Sequence, residues 1–241
     1  MKTMLLKALE KYRKRTSLEF GPIQSALIDM DGTLYDSMPW HAKAWQKLMA
    51  ELGVETNMEE FFAFEGMTGK ATINLLFNRA FNREVSDEEA DRLYARKSLY
   101  FRENNKARIM PGALRMVRYF QQNNVPTVLV TGSGQASLIE RLNMDFNNAF
   151  PAERRITSRD VVECKPSPEP YLKALQLVQC PTEKAIVIEN APLGVMAGVA
   201  ANIFTVAVNT GPIPKKALVD AGADLVFDSM REFADFLPQL L

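Results

Sequence analysis

The sequence has no excess of either charge and no long apolar run. Its 241 residues contain 29 Lys and Arg against 29 Asp and Glu, so the formal net charge is zero. No global field therefore attracts nucleic acid or an anionic membrane, and any anion must be held by a local site. No apolar stretch approaches the roughly 20 residues of a membrane span. We predict a protein that binds neither nucleic acid nor membrane.

Cysteine and histidine are also scarce. Cys164 and Cys180 are not spaced as a CxxC pair, and His41 is the only histidine. This composition argues against a disulfide framework and against a thiolate zinc site. The N-terminus has no signal-peptide core followed by a small-residue cleavage site, so the expected location is cytoplasmic. These features do not predict an oligomeric state.

Residues 1–20 are predicted to form an N-terminal extension. Leu5, Leu6, Leu9 and Tyr12 lie among lysines and arginines, a pattern typical of a short basic amphipathic helix. We expect this segment to lie on the surface of the core or to be partly disordered. Its short apolar face argues against a membrane anchor.

Short apolar runs that end in polar residues or glycine recur along the chain and predict the strands of a buried parallel sheet. The runs cover residues 26–28, 127–130, 185–188 and 204–208, with a weaker one at 224–227. Helical patterns at residues 114–122, 137–144, 170–178 and 193–200 alternate with them. This alternation predicts an α/β fold, whose ligands bind at the carboxyl ends of the strands.

Residues 36–108 interrupt this alternation. Their apolar residues recur at helical spacing, with hardly any strand-like run. We predict an all-helical insertion of about four helices, entered after Tyr35 and left before Met110. The core then consists of residues 21–35 and 109–241.

Asp29 and Asp31 directly follow the first predicted strand. Carboxylates crowded at a strand end repel each other, and a divalent cation is their natural partner. The same Asp-x-Asp-Gly pattern also occurs in calcium loops and ordinary turns. By itself it therefore does not establish a catalytic site.

The residues from Asp29 to Leu34 (DMDGTL) resemble the first signature of the haloacid dehalogenase (HAD) superfamily, and the other three signatures follow in family order. This resemblance covers nearly everything after residue 20 and implies a Rossmann-like parallel sheet core with an inserted helical cap. It implies that Asp29 attacks phosphorus to form an aspartyl-phosphate, while Asp31 acts as general acid and base. The implied cofactor is Mg2+, held by Asp29 and the backbone carbonyl of Asp31.

Two further signatures concern the phosphoryl group. Thr131 matches the second signature, where its hydroxyl and the amides of Gly132 and Ser133 would cradle the phosphoryl oxygens. Lys165, within the segment ECKPSPEPY at residues 163–171, matches the third signature and would neutralise charge on Asp29. Standing alone, a Gly-rich turn or a single lysine would be weak evidence.

Glu189 and Asn190 occupy the fourth signature and are candidate metal ligands. The family pattern has Asp where this chain has Asn190. Asn offers Mg2+ a neutral carbonyl oxygen in place of a carboxylate, so the site loses one negative charge. The departure is compatible with weak metal binding, with a site in which another residue supplies the missing charge, or with an inactive site.

The position of the insertion and the segment WHAKAW at residues 40–45 resemble the β-phosphoglucomutase-like branch of the superfamily. The β-phosphoglucomutase cap loop has a lysine at the place of Glu65 and a phosphate-binding arginine at the place of Gly69. Glu65 would restore the charge lost at Asn190 if it reached the metal on cap closure. The alternative is a solvated Glu65, as most loop glutamates are.

Two other cap residues are candidates for the substrate. His41 would contact substrate or, alternatively, cap a hinge, and Lys70 would anchor a second anionic group. Loss of the arginine argues against a hexose bisphosphate, because its second phosphate would lack a bidentate clamp. An added metal ligand favours a compact, highly charged substrate.

The leading hypothesis from these residues is a bacterial inorganic pyrophosphatase that hydrolyses pyrophosphate to orthophosphate. One alternative is a β-phosphoglucomutase or sugar-phosphate phosphatase of the same branch. The other is a metal-poor, inactive descendant that serves as a binding module. Retention of Asp29, Asp31, Thr131 and Lys165 together argues against the last.

Overall fold

A parallel sheet forms the centre of the computed structural model, which describes residues 2–134 and 136–240. Its strands are β1 (Ser25–Ile28), β2 (Thr127–Val130), β3 (Arg155–Ile156), β4 (Ala185–Glu189), β5 (Phe204–Val208) and β6 (Leu225–Phe227). They lie in the order β3-β2-β1-β4-β5-β6, and each neighbouring pair is parallel. The strand order reverses at β1, which places a crevice between the carboxyl ends of β1 and β4.

Helices cover both faces of this sheet. They are α1 (Lys2–Thr16), α6 (Ala113–Gln122), α7 (Ala136–Asp145), α8 (Glu169–Val178), α9 (Pro192–Ala200), α10 (Lys215–Asp220) and α11 (Met230–Phe236), with short 3-10 turns at Ala152–Arg154, Thr182–Lys184 and Leu237–Gln239. Ile28 belongs to the apolar cluster on one face of the sheet, and its neighbour Leu27 to the cluster on the other. Strands buried on both faces have continuous apolar sequences, which is why the central strands were predictable.

Four helices separate β1 from α6: α2 (Met38–Glu51), α3 (Glu60–Ala63), α4 (Gly69–Phe81) and α5 (Asp87–Asn104). We call them the cap. They share their own apolar cluster, which includes Trp45, Leu48, Phe61 and Phe77. Side chains cap two of these helices, since Thr68 accepts the Ala71 N–H at the start of α4 and Ser86 accepts the Glu89 N–H at the start of α5.

The predicted fold class is confirmed: a Rossmann-like parallel sheet carries an inserted all-helical cap. The short edge strand β3 was not predicted, because two residues that include Arg155 give no apolar run. Within residues 2–134 and 136–240, no helix combines the length and the apolar character that crossing a bilayer requires.

Candidate active site

The candidate active site lies where three neighbouring strands end. Asp29 follows β1, Thr131 follows β2, and Glu189 closes β4. Because these strands are parallel and adjacent, their carboxyl ends bring the three side chains to one edge of the sheet. All three residues are buried. Three segments that are far apart in sequence thus meet at the position that the strand order provides for a ligand.

A buried lysine connects two of these carboxylates. Lys165 Nζ lies 2.6 Å from Oδ1 of Asp29 and 2.6 Å from Oε1 of Glu189, and it donates to the carbonyl oxygen of Val130. Burial alone would lower the pKa of Lys165, but the charges of Asp29 and Glu189 outweigh it and hold the pKa well above its ordinary value. Lys165 therefore stays charged beside Asp29.

Both oxygens of Glu189 are already used within the protein. Oε1 accepts from Lys165 and from the hydroxyl of Tyr171, while Oε2 accepts the backbone N–H groups of Asn190 and Ala191. A Cβ at Gly194 would lie 1.8 Å from Oε1, so only glycine leaves room for this carboxylate. In this structure Glu189 orients Lys165, and its role as a metal ligand stays a prediction.

Asp31 is held by the first helix of the cap. Its Oδ1 accepts from the hydroxyl of Ser37 at 2.5 Å and lies 3.0 Å from Nε2 of His41. Burial alone would raise the pKa of Asp31, but His41, Ser37 and the charge of Lys97 outweigh it, so the pKa lies below its ordinary value. The candidate acid and base group is thus ionised when no substrate is bound.

Lys97 lines the candidate site and was not identified by sequence analysis. Its Nζ lies 2.6 Å from Nδ1 of His41, and burial lowers its pKa to about 7. Burial, followed by the charge of Lys97, lowers the pKa of His41 and favours a neutral imidazole. When Lys97 is an ammonium group it can only donate, so Nδ1 then accepts and the imidazole proton lies on Nε2, towards Asp31. Leu93, Lys97 and Phe101 are spaced four apart and share one helix face. A lysine on an apolar face was the signal that could have identified it.

The residues after β2 form the expected turn. Thr131 donates its N–H to Ile156 and accepts the N–H of Ser133 on its hydroxyl at 3.0 Å. Thr131, Gly132 and Ser133 all line the same cavity as Asp29 and Asp31. The carbonyl oxygen of Gly66, from the cap, would lie 3.1 Å from a Cβ at Gly132. The cap loop is therefore packed directly onto the candidate phosphoryl cradle.

Glu65 reaches the core from the cap. Its Oε1 accepts from Nδ2 of Asn190 at 2.9 Å, while Oδ1 of Asn190 accepts from Thr33 at 3.0 Å. Burial, followed by the charge of Asp29, raises the pKa of Glu65 well above its ordinary value. The same two influences, burial first and then neighbouring carboxylates, keep the pKa of Asp29 raised despite the opposing charge of Lys165.

This crowding of carboxylates is compatible with a divalent cation. Oδ2 of Asp29 is buried and has no hydrogen-bond partner within the described residues. The described chain holds no group of three or more His, Cys, Asp or Glu arranged for a metal. Two of the expected ligands lie outside that set of residue types, namely the Asn190 side chain and the backbone carbonyl of Asp31. The orphaned oxygen nevertheless fits a cation, because a buried carboxylate oxygen needs a compensating partner.

A cavity of about 70 Å3 joins these groups. Its lining includes Asp29, Asp31, His41, Glu65, Lys97 and Thr131, together with Trp45, Phe61, Phe64 and Tyr94 from the cap. Lys70 is not part of that lining. It is exposed and pairs with Asp87 on the cap surface. The predicted role of Lys70 as an anchor for a second anionic group therefore has no support from the cavity lining and stays a prediction.

Comparisons with known proteins agree with this arrangement. A sequence profile of haloacid dehalogenase-like hydrolases matches residues 23–202. A solved structure described as a putative β-phosphoglucomutase from Bacteroides vulgatus has a TM-score of 0.95 and 41% identity, covering 100% of this chain and 98% of that one. An uncharacterized protein of Haemophilus influenzae is 34% identical over 196 residues, which are 80% of this chain and 95% of that protein. Hexitol phosphatase A of Escherichia coli is 29% identical over 207 residues, 86% of this chain and 91% of that enzyme.

Proposed function

Because the chain belongs to the haloacid dehalogenase-like hydrolase family, we propose that it hydrolyses a small phosphorylated substrate through an aspartyl-phosphate on Asp29. One observation carries this proposal: Asp29 and Asp31 line the same cavity, and Lys165 Nζ lies 2.6 Å from Oδ1 of Asp29. A carboxylate paired with a permanent cation is suited to approach an anionic phosphoryl group.

The proposed reaction has two steps that share these residues. In the first, an oxygen of Asp29 forms a bond to phosphorus while the bond to the leaving oxygen breaks, and Asp31 donates a proton to that oxygen. In the second, Asp31 takes a proton from water, whose oxygen attacks phosphorus and releases phosphate from Asp29. Since Asp31 is ionised at rest, its first proton must come from a neighbour. The hydrogen-bonded chain from Lys97 through His41 is positioned to deliver it.

Mg2+ is the cation that we propose for this site. Asp29, the backbone carbonyl of Asp31, Asn190 and Glu65 would hold it, and the orphaned Oδ2 of Asp29 supports this assignment. When bound, the cation supplies positive charge that offsets the repulsion between a carboxylate and a phosphoryl group. Glu65 in this set replaces the negative charge that Asn190 lacks.

Pyrophosphate is the substrate that the geometry favours. The cavity of about 70 Å3 is lined on the cap side by Trp45, Phe61, Phe64 and Glu65, which favours a small leaving group. Two phosphoryl groups that share an oxygen are more compact than a hexose phosphate and more highly charged. Glu65 lines this cavity, with its Oε1 2.9 Å from Nδ2 of Asn190, and so reduces the space for a large leaving group.

A sugar phosphate is the second candidate, and the comparisons favour it over pyrophosphate. The relatives named above include a hexitol phosphatase and a putative β-phosphoglucomutase. Each of those names refers to a sugar or sugar alcohol phosphate, and none refers to pyrophosphate. The two candidates share one reaction at phosphorus and differ only in the leaving group.

A phosphate-release panel separates the two candidates. Purified protein with Mg2+ is assayed on pyrophosphate, hexose 6-phosphates, hexitol phosphates and nucleotides, with kcat/KM as the measure. We expect pyrophosphate to exceed each ester by at least about tenfold, because one poorly fitted group in a pocket changes kcat/KM by roughly 10- to 200-fold.

Asp29→Asn is the control for this panel. The variant keeps the shape of the side chain but lacks the attacking carboxylate. Phosphate release from every substrate should therefore fall to the level of a blank without enzyme. Activity that persists in Asp29→Asn would remove the nucleophile assignment. A sugar phosphate with the highest kcat/KM would replace pyrophosphate as the substrate and leave the reaction class intact.

A further inference from the structure

Tyr171 is a buried tyrosine that contacts the candidate active site without lining its cavity. It lies in the first turn of α8, shortly after Lys165 in sequence, and is fully buried. Its ring belongs to the apolar cluster on one face of the sheet. Its hydroxyl, in contrast, donates to Oε1 of Glu189 at 2.9 Å. A tyrosine in this position can act on the reaction only through the residues that it touches.

Glu189 connects Tyr171 to the site. Its Oε1 accepts from Tyr171 and from Nζ of Lys165, and its Oε2 accepts the backbone N–H groups of Asn190 and Ala191. A carboxylate offers about four lone-pair positions, so these four donors define both the place and the rotation of the group. The backbone groups hold Oε2, whereas the position of Oε1 depends on the two side chains.

Lys165 needs such support because its side chain is long and has many rotamers. The three N–H donors of its ammonium group have three acceptors nearby: Oδ1 of Asp29, Oε1 of Glu189 and the carbonyl oxygen of Val130. The ring of Tyr171 also lies close, with Nζ 5.3 Å from the ring centroid, which is within the range of a cation–π contact. Tyr171 therefore contacts Lys165 through its ring and Glu189 through its hydroxyl.

The reaction changes the partners of Lys165. When an oxygen of Asp29 becomes bonded to phosphorus, Asp29 no longer carries the full charge that attracts the ammonium group. Glu189 keeps its charge and remains 2.6 Å from Nζ, so it can hold Lys165 at the site in both states. The orientation of Glu189 then decides where the ammonium group points.

We propose that Tyr171 is a positioning residue: its hydroxyl fixes Glu189, which in turn keeps Nζ of Lys165 directed at Asp29 and at the phosphoryl group that Asp29 carries. This inference rests on the proposed function, because it concerns the phosphorylated state of Asp29. The hydroxyl touches neither the substrate nor Asp29, and acts through two charged neighbours.

Binding of beryllium fluoride, a mimic of the phosphoryl group on Asp29, tests this role without turnover. Its dissociation constant is measured at saturating Mg2+ in wild type and in Tyr171→Phe, together with kcat. The variant keeps the ring and loses only the hydroxyl. We expect the dissociation constant to rise and kcat to fall, each by at least about threefold, as expected for the loss of one hydrogen bond.

Tyr12→Phe is the matched control. Tyr12 is also fully buried and also donates its hydroxyl, in this case to the carbonyl oxygen of Asn202, which is not part of the site. A similar loss of stability is expected in both variants, but Tyr12→Phe should bind beryllium fluoride and turn over as wild type does. Equal effects of the two variants on binding, or wild-type binding and kcat in folded Tyr171→Phe, would overturn the positioning role.

Glu189→Ala shows whether the hydroxyl acts through the carboxylate. In that background the hydroxyl has no carboxylate to hold, so adding Tyr171→Phe should change the dissociation constant by less than about twofold. A further loss as large as that in wild type would refute the route through Glu189. If Glu189→Ala does not fold, the comparison of Tyr171→Phe with Tyr12→Phe decides alone.

The wild-type measurement decides the proposed function separately. A wild type that binds no beryllium fluoride in the presence of Mg2+ would remove the aspartyl-phosphate, and the role of Tyr171 with it. A wild type that binds the mimic, with unchanged binding and kcat in Tyr171→Phe, would refute only the role of Tyr171.

Discussion

At the scale of single residues, Asn190 and Glu65 together set the charge of the candidate site. Asp29, Asp31, Glu65 and Glu189 are four carboxylates near one cavity, against the two ammonium groups of Lys97 and Lys165. If all were ionised, an excess of two negative charges would remain. Burial and mutual repulsion accordingly raise the pKa values of Asp29 and Glu65. A divalent cation removes that excess, whereas an aspartate at position 190 would add to it.

Glu65→Ala tests this charge balance. We expect Mg2+ affinity, measured by isothermal titration calorimetry, to fall by at least the roughly 10- to 100-fold that loss of an outer partner of a metal site costs. Turnover should fall with it. Glu55→Ala, at an exposed position in the loop before α3, is the matched control and should bind Mg2+ as wild type does. Wild-type affinity in Glu65→Ala would identify Glu65 as a solvated side chain with no role at the metal.

At the scale of elements, Glu169 holds the loop that precedes Lys165 through hydrogen bonds to its backbone. Glu169, in the first turn of α8, accepts the backbone N–H groups of Val162 and Glu163 and pairs with Lys173. The hydrogen bond from Lys173, followed by those two N–H groups, lowers the pKa of Glu169 to about 2. The carboxylate form is therefore the one that holds the segment before Lys165 in place.

Glu169→Gln should remove a pH-dependent part of the stability. Because the folded-state pKa is depressed, the stabilisation is fully present above the ordinary value of 4.5 and is lost as pH falls towards 2. The difference in unfolding free energy between wild type and Glu169→Gln should thus shrink across that interval, as measured by urea denaturation. Glu153→Gln, at an exposed position in the turn before β3, should show no such trend. A constant difference from pH 7 to pH 2 would contradict the depressed pKa.

At the scale of the whole molecule, the N-terminal helix is anchored at the end of the sheet opposite the candidate site. Tyr12 is fully buried, packs edge-on against Phe204, and donates its hydroxyl to the carbonyl oxygen of Asn202. Arg15 donates to the carbonyl oxygens of Val199 and Ile203 and pairs with the buried Asp224. These partners lie at the end of α9 and around the start of β5, far from the carboxyl ends of the strands.

Tyr12→Ala should therefore destabilise the protein without changing its chemistry. Truncation of a large buried aromatic side chain costs about 3 to 5 kcal/mol. The midpoint temperature of thermal unfolding should therefore fall clearly. Turnover per folded molecule, assayed well below that transition, should match wild type. Leu6→Ala on the same helix, at a side chain that is 59% exposed, should change the unfolding free energy by less than about 0.5 kcal/mol. Wild-type stability in Tyr12→Ala would show that α1 is not part of the core.

Several elements could be predicted because their signals are local. β1, β2, β4 and β5 are buried on both faces and are therefore continuous apolar runs. Edge strand β3 has only two residues and no such run. The basic, amphipathic α1 indicated a helix, but its burial could not be predicted, since Tyr12 contacts residues about 190 positions away.

The amino-acid sequence by itself determined the fold class, because apolar runs and helical patterns are local signals. It also indicated the hydrolase family, because the segments around Asp29, Thr131 and Lys165 resemble the haloacid dehalogenase signatures. Only the tertiary structure decided what surrounds them. It assigned Glu189 to Lys165, turned Lys70 to the surface, and brought Lys97, Tyr94 and Glu65 from the cap to the core. The physical reason is that contacts between cap and core depend on how two separately packed units meet, and no short stretch of neighbouring residues specifies those contacts.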